Sequence, residues 1–312
     1  DSLDNILYTA YEIGMMSKYG GGTSVYLGNI RPRGSSISTG GYADGPVHYA
    51  RLYDTAIDVS KQSEARRGAC AVYLPIEHPD ILDFLDIGTE GNPIQNLQYG
   101  VTVTDDFIDK MKSGNKHNRT VWAKVLQRRS EFGFPYILFK DNCNKNTPYK
   151  ELGLEIVASN LCTEIMEPSD ANNSFTCCIG SLNLLHWDDI KDTDAIEVYT
   201  LFLNAVMDEF ILKVKDIPSM WRSYNFAVNH RAIGVGVLGY HSYLQSKLVP
   251  FESIEAKQYN YQMFSCIEEK CNWASKWLAT NKNYKCIRDG YANTVLMAIA
   301  PTKSSSFILG QV

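Results

Sequence analysis

Several things are missing from this sequence of 312 residues, and each absence excludes something. No apolar run approaches the roughly 18–20 residues that a membrane-crossing helix needs, and the longest candidates, such as Val295–Ala300, have the length of a strand. A membrane partner is therefore not expected. Neither charge sign is gathered into a block: 30 Lys and Arg stand against 35 Asp and Glu, a net charge of −5. Affinity built on many phosphate contacts usually requires a basic surface, so nucleic acid is disfavoured as a partner, whereas a small phosphorylated ligand needs only a local pocket. The eight cysteines form no CxxC pair and no small disulfide framework. With no signal peptide in view, reduced thiols and a cytoplasmic location are expected. Neither His nor a further Cys stands at zinc-ligand spacing from Cys177-Cys178, so no metal centre is expected. Repeats, low-complexity tracts and Pro/Ser-rich linkers are also absent, which argues for a single domain over residues 1–312. The first residue is Asp1 rather than Met, and Val312 closely follows a strand-like run, so the sequence reads as part of a longer polypeptide.

What is present is ordinary for a folded protein, with 45% apolar and 21% charged residues. From Ser2 to Tyr19, apolar residues recur at Leu3, Ile6, Leu7, Ala10, Ile13 and Met16, the period of a helix that Gly20-Gly21-Gly22 ends. Val25–Leu27 predicts a short strand, followed by the two-arginine loop Ile30-Arg31-Pro32-Arg33-Gly34-Ser35. Helices are predicted near 47–61, 79–87, 105–114, 119–131, 194–214 and 253–279. Strands are predicted over Ala69–Leu74, Tyr99–Val103, Pro135–Phe139, Ile233–Leu238 and Thr294–Ala300. Strands alternating with helices of that length predict an α/β fold with a largely parallel sheet.

Four segments invite a chemical reading. Gly234-Val235-Gly236-Val237-Leu238-Gly239 matches the GxGxxG of dinucleotide-binding turns, but its glycines fall inside an apolar strand run, where glycine in a crowded strand is the better account. Asn160, Cys162 and Glu164 are spaced by two within Ser159–Ile165. In an extended segment they share one face, with Leu161, Thr163 and Ile165 on the other. An amide, a thiol and a carboxyl on one face suit a reaction centre; a thiol buried between solvated polar groups accounts for them equally well. Cys177-Cys178, ahead of an apolar run, read as packing residues on chemistry alone. Pro301-Thr302-Lys303-Ser304-Ser305-Ser306 follows a predicted strand, and such a small, hydroxyl-rich turn can offer amides and hydroxyls to a phosphate. Many Ser-rich turns hold no ligand.

Taken together, Asn160-Leu161-Cys162-Thr163-Glu164, then Cys177, then Pro301-Thr302-Lys303-Ser304-Ser305 resemble the catalytic core of the large (alpha) subunit of class I ribonucleotide reductases. Asp1-Ser2-Leu3, Ile30–Ser35, Ser63–Ala69, Pro135–Asp141 and Ala232–Gly236 match as well, so the likeness spans almost the whole chain. The resemblance implies a ten-stranded α/β barrel, made of two five-stranded parallel halves antiparallel to each other and incomplete in this chain. A central finger loop would carry Cys162. It implies a ribonucleoside-diphosphate reductase, which makes 2′-deoxyribonucleoside diphosphates by thiyl-radical chemistry with dithiol oxidation, under allosteric nucleotide control. Cys162 would be the thiyl radical that takes the 3′ hydrogen, Glu164 the base on the 3′ hydroxyl, and Asn160 a hydrogen-bond partner of the sugar. Cys177 would be one of two reducing thiols, with its neighbour Cys178 inert. Thr302, Ser304, Ser305 and Ser306 would hold the substrate phosphates, with Gly68 and Ala69 admitting the nucleotide. Asp1, Ser2 and Arg31 match an effector site at a dimer interface, and Ser63, Arg66 and Arg67 belong to the loop that relays effector identity.

Partners follow from the same resemblance: a homodimer to which the opening helix contributes, a radical-generating small (beta) subunit that holds the metal, and thioredoxin or glutaredoxin as reductant. The effectors would be nucleoside triphosphates (ATP, dATP, dTTP, dGTP), and no cofactor is expected within this chain. The family's second reducing cysteine, its radical-passing tyrosine pair and its tail cysteines have no counterpart in Asp1–Val312, so the chain alone is expected to be inactive. Other fragments of a naturally split large subunit are one conceivable source of those groups. A cobalamin-dependent reductase core and a non-catalytic nucleotide-binding remnant are the alternatives.

Overall fold

The structure, a computed structural model, describes residues 1–60 and 67–311. It divides into two compact units, Asp1–Ala171 and Asn172–Val312.

In the first unit, Ser2 caps helix α1 (Leu3–Lys18) by accepting the Asn5 amide on its Oγ. Ile6, Ile13 and Ser17 form the buried face of α1, which packs on α2 (Pro46–Val59). The other elements are β1 (Gly22–Tyr26), β2 (Ala69–Pro75), α3 (Ile81–Phe84), β3 (Leu97–Val103), α4 (Asp105–Lys112), α5 (Lys116–Phe132), β4 (Tyr136–Phe139), α6 (Lys140–Lys145) and α7 (Pro148–Glu151). The helix predicted near 79–87 shrinks to α3 because the Asp86 carbonyl is taken by the side chains of Thr89 and Asn92, which turn the chain. All four strands pair in parallel, in the order β1-β2-β3-β4. The inner strands β2 and β3 are buried almost throughout and the edge strands less so, which is why β2 reads as an unbroken apolar run rather than an alternation. The register places Tyr26, Tyr73, Gly100 and Tyr136 in one row across the sheet. A Cβ on Gly100 would lie 2.5 Å from a carbon of the Tyr73 ring, so the missing side chain is the slot for that ring.

The second unit contains β5 (Ile179–Asn183), α8 (Trp187–Ile190), α9 (Ala195–Val214), α10 (Trp221–His230), β6 (Gly234–Leu238), α11 (Tyr240–Ser246), α12 (Ile254–Lys282) and α13 (Lys303–Leu309). Strands β5 and β6 pair in parallel, and α9 packs against β6, α10 and α12. Leu203 and Met207 of α9, Val235 of β6, and Ile267 and Cys271 of α12 belong to its core. The strand predicted over Thr294–Ala300 is not formed: the segment makes a single parallel bridge, Met297 to Val235. It runs too close to β6 for regular side-chain layering, since a Cβ on Gly236 would overlap the carbonyl oxygen of Ala298. Gly234 and Gly236 are therefore strand residues that admit a neighbouring chain, and only Gly239, at φ 76°, stands at a turn, opening α11. That placement excludes a dinucleotide-binding turn. Among the described residues, six strands lie in two parallel sheets accompanied by helices, an α/β fold. No helix among them is long and apolar enough to cross a membrane.

Candidate active site

Residues 152–171 contain neither helix nor strand, so their backbone groups must be satisfied one at a time. Asn144 of α6 supplies one pairing: its Oδ1 accepts from the Ile156 amide and its Nδ2 donates to the Ile156 carbonyl, each at 2.8 Å. Ile156, Ala158 and Ile165 are buried, and Leu161 packs against the cluster of Ala71, Tyr73 and Ala158. Ala158 and Leu161 thus seat the loop on β2.

The segment Ser159–Ile165 is not extended, and the shared face expected from alternation is corrected accordingly. Thr163 lies at φ 66°, and its amide donates to the Asn160 carbonyl at 3.2 Å. The amides of Glu164 and Ile165 both donate to Asn160 Oδ1, at 3.0 and 3.1 Å. An Asn side chain imitates a turn in this way, and its attraction for the following amides is what breaks the pleat. Asn160, Cys162 and Glu164 are gathered by a hydrogen-bonded turn rather than by strand geometry.

The turn presents three groups of different character. Cys162 is solvent-accessible, yet the protein packed beside it desolvates its sulfur, and the Glu164 carboxylate adds repulsion; both hold the thiol above its ordinary pKa. It therefore keeps its hydrogen near neutral pH. Glu164 Oε2 is buried and meets no hydrogen-bond donor among the described residues. Asn160 has its oxygen occupied by the turn, while its Nδ2 donors meet no acceptor among the described residues. An S–H, an open acceptor and an open donor suit a ligand carrying hydroxyl groups. Two supports escaped the sequence reading. Tyr73, on β2, approaches both the Asn160 carbonyl and Thr163 Oγ1 at 2.8 Å. A phenol in the middle of an apolar strand needs a polar partner, and that was the available signal. Glu167 is the other: its carboxyl is buried, and desolvation pushes its pKa up to about 8.

The remaining expected residues lie on other segments of the chain. Arg31 pairs with Asp1 at 2.6 Å and donates to the Ser36 carbonyl, both ions staying partly exposed, and Ser2 caps α1. The loop carrying Arg31 is held by the connection after β2, since Asp80 accepts the Arg33 amide at 2.9 Å. Arg67 is exposed, and Ser63 and Arg66 lie outside the described residues. Gly68 is buried against α1, where a Cβ would overlap Ser17, and Ala69 begins β2 opposite Gly22. A cavity of about 250 Å3 near this loop is lined by Arg33, His48, Arg51, Asp80 and Asp83 among others, and by no residue of the Cys162 turn. In the second unit, exposed Cys177 precedes β5, whereas the sulfur of Cys178 points to the Leu203 carbonyl at 3.6 Å within the core. Thr302, at φ 60°, precedes α13; Ser304 is exposed, and Ser306 donates its hydroxyl to the Lys303 carbonyl at 2.8 Å. Among the described residues no three His, Cys, Asp or Glu side chains are grouped to hold a metal ion.

Comparison with known proteins matches the chain to a family. The family model for the ribonucleotide reductase barrel domain matches residues 1–118 and 114–286. The alpha subunit of a class Id ribonucleotide reductase from Actinobacillus ureae is 51% identical and superposes with a TM-score of 0.95, covering 99% of this chain and 59% of that one. A putative ribonucleoside-diphosphate reductase large subunit of Frog virus 3 (isolate Goorha) is 29% identical over 335 residues, 99% of this chain and 58% of the viral protein. A vitamin B12-dependent ribonucleoside-diphosphate reductase of Thermoplasma acidophilum is 29% identical over 345 residues, 99% of this chain and 43% of that protein. The chain thus spans about half the length of the curated relatives it matches. With the family model matched as far as residue 286, the chain belongs to the ribonucleotide reductase family, in the region of its barrel domain.

Proposed function

We propose that this chain is the catalytic core of a class I ribonucleoside-diphosphate reductase large subunit, and part of one ten-stranded barrel domain whose finger loop carries Cys162. The observation that carries the reading is the Asn160 turn, which sets an accessible thiol beside a carboxyl whose buried oxygen lacks a donor. The radical-generating small subunit supplies the oxidising equivalent that converts the Cys162 thiol to a thiyl radical. Cys162 then takes the 3′ hydrogen: an S–H bond forms as the C3′–H bond breaks, leaving the unpaired electron on the sugar. Glu164 accepts the 3′-hydroxyl proton on its open oxygen, and the Asn160 Nδ2 donors hold a sugar hydroxyl. The 2′ hydroxyl leaves as water, and two thiols supply two electrons and two hydrogens as they join in a disulfide. Cys177 is one of those thiols. Cys162 recovers its radical when it returns a hydrogen to C3′. Thr302 and Ser304 to Ser306 hold the substrate phosphates, and Gly68 and Ala69 border the nucleotide.

Asp1, Ser2 and Arg31 bind a nucleoside-triphosphate effector at a homodimer interface, and Ser63, Arg66 and Arg67 relay its identity. The Asp1–Arg31 pairing supports the effector reading, because it joins residues 30 positions apart in one exposed place. Thioredoxin or glutaredoxin restores the thiols. Greater identity to the class Id subunit than to the vitamin B12-dependent enzyme favours class I. The test uses the full-length subunit containing this chain, with its small subunit and a dithiol reductant. Cys162→Ser should abolish deoxynucleotide formation while effector binding, measured by equilibrium dialysis, stays near the parent value. Turnover that survives Cys162→Ser overturns the reading. The isolated 312-residue chain should show no multiple turnover.

A further inference from the structure

Thr163 is a β-branched residue in the left-handed region, at φ 66°, between the two reacting groups of the turn. Such a conformation is strained for a β-branched residue and persists only where surroundings impose it. Beside the Asn160 side chain, a second hold on this conformation comes from the sheet. Tyr73 Oη lies 2.8 Å from the Asn160 carbonyl oxygen and 2.8 Å from Thr163 Oγ1. A carbonyl oxygen only accepts, so the single phenol proton goes to Asn160, and Thr163 must donate its own hydroxyl proton to Tyr73. One oxygen therefore ties both ends of the turn that carries Cys162. The ring holding that oxygen cannot tilt freely: Tyr73 is fully buried, and Gly100, its neighbour in register on β3, leaves only the space the ring fills.

We infer that Tyr73 and Thr163 form a clamp that positions Cys162 for hydrogen abstraction from the ribose, Tyr73 acting from the sheet as a positioning residue. This rests on the reading of Cys162 as the reacting thiol. Removing either hydroxyl leaves the turn attached through Asn160 Oδ1 but lets its middle shift. A displacement of about 1 Å at a reacting atom can cost on the order of a hundredfold in rate.

The test compares Tyr73→Phe, Thr163→Val and the double variant in the full-length, reconstituted enzyme, using ordinary and 3′-deuterated substrate. Tyr73→Phe should lower kcat by about 10–100-fold with KM changed by less than about threefold. Its deuterium effect on kcat should exceed that of the parent, because a displaced sulfur slows the hydrogen-transfer step itself. Thr163→Val should behave likewise, and the double variant should lose little more than either single one, since both cut the same link. If Tyr73→Phe only lowers thermal stability or the active fraction, with the parent isotope effect, the clamp is not a positioning device and the inference fails. Additive losses in the double variant also overturn it. Cys162→Ser in the same assay separates the two levels. A dead Cys162→Ser beside a fully active Tyr73→Phe removes the clamp alone, whereas an active Cys162→Ser removes the functional reading beneath it.

Discussion

The hydrogen-atom chemistry proposed for Cys162 needs a sulfur that still carries its hydrogen, and its surroundings favour that form. Burial of the sulfur comes first and the neighbouring Glu164 charge second, and both disfavour a thiolate. The sign of the second effect makes it testable. Replacing Glu164 by Gln removes a negative charge, so the Cys162 pKa should fall towards that of a free thiol. Alkylation by iodoacetamide, followed on the Cys162 peptide by mass spectrometry, should then show its inflection at lower pH and proceed faster near pH 8. An unchanged or higher inflection would show that the carboxylate does not act on the thiol. That these residues lie near one another was legible in the sequence, because Asn160, Cys162 and Glu164 sit within five positions. Their geometry was not, because alternation presumes a pleat and the Asn160 side chain replaces it with a turn.

At the scale of elements, apolar period carried most of the information. The 20-residue α9 and the 29-residue α12 follow their apolar spacing closely, and Ser253 caps α12 as Ser2 caps α1. Short pieces were harder. The sequence predicts no strand at β5, although Ile179–Asn183 pairs along its whole length with β6, and it predicts one over Thr294–Ala300 that does not form. An apolar run records burial and says nothing of which neighbour the backbone meets. Gly236 shows the consequence: a single methyl there would overlap the Ala298 carbonyl. Gly236→Ala should therefore destabilise the second unit by about 1–3 kcal/mol, read from urea unfolding followed by hydrogen exchange in β5 and β6. A variant as stable as the parent would mean that the neighbouring segment yields easily.

For the chain as a whole, stability should depend on pH through Glu167. Its folded pKa is raised to about 8 from the ordinary 4.5, with burial as the cause. Below about 4.5 the carboxyl is neutral in both states, and the folded form bears no charge penalty. As pH rises towards about 8, unfolding releases a proton, so stability falls across that window and levels off above it. Glu167→Gln should flatten the decline between pH 5 and 8 in the unfolding of residues 1–171, monitored by hydrogen exchange in β2 and β3. A decline as steep as the parent's would assign the pH dependence to other groups. The sequence by itself determined the α/β class, the long helices and the family, because each is written in consecutive residues as period or motif. The tertiary structure decided the shape of the turn at Cys162. Tyr73 reaches Thr163 across 90 positions and Asn144 reaches Ile156 across 12, and a hydroxyl or an amide shows its partner only once the chain has folded around it.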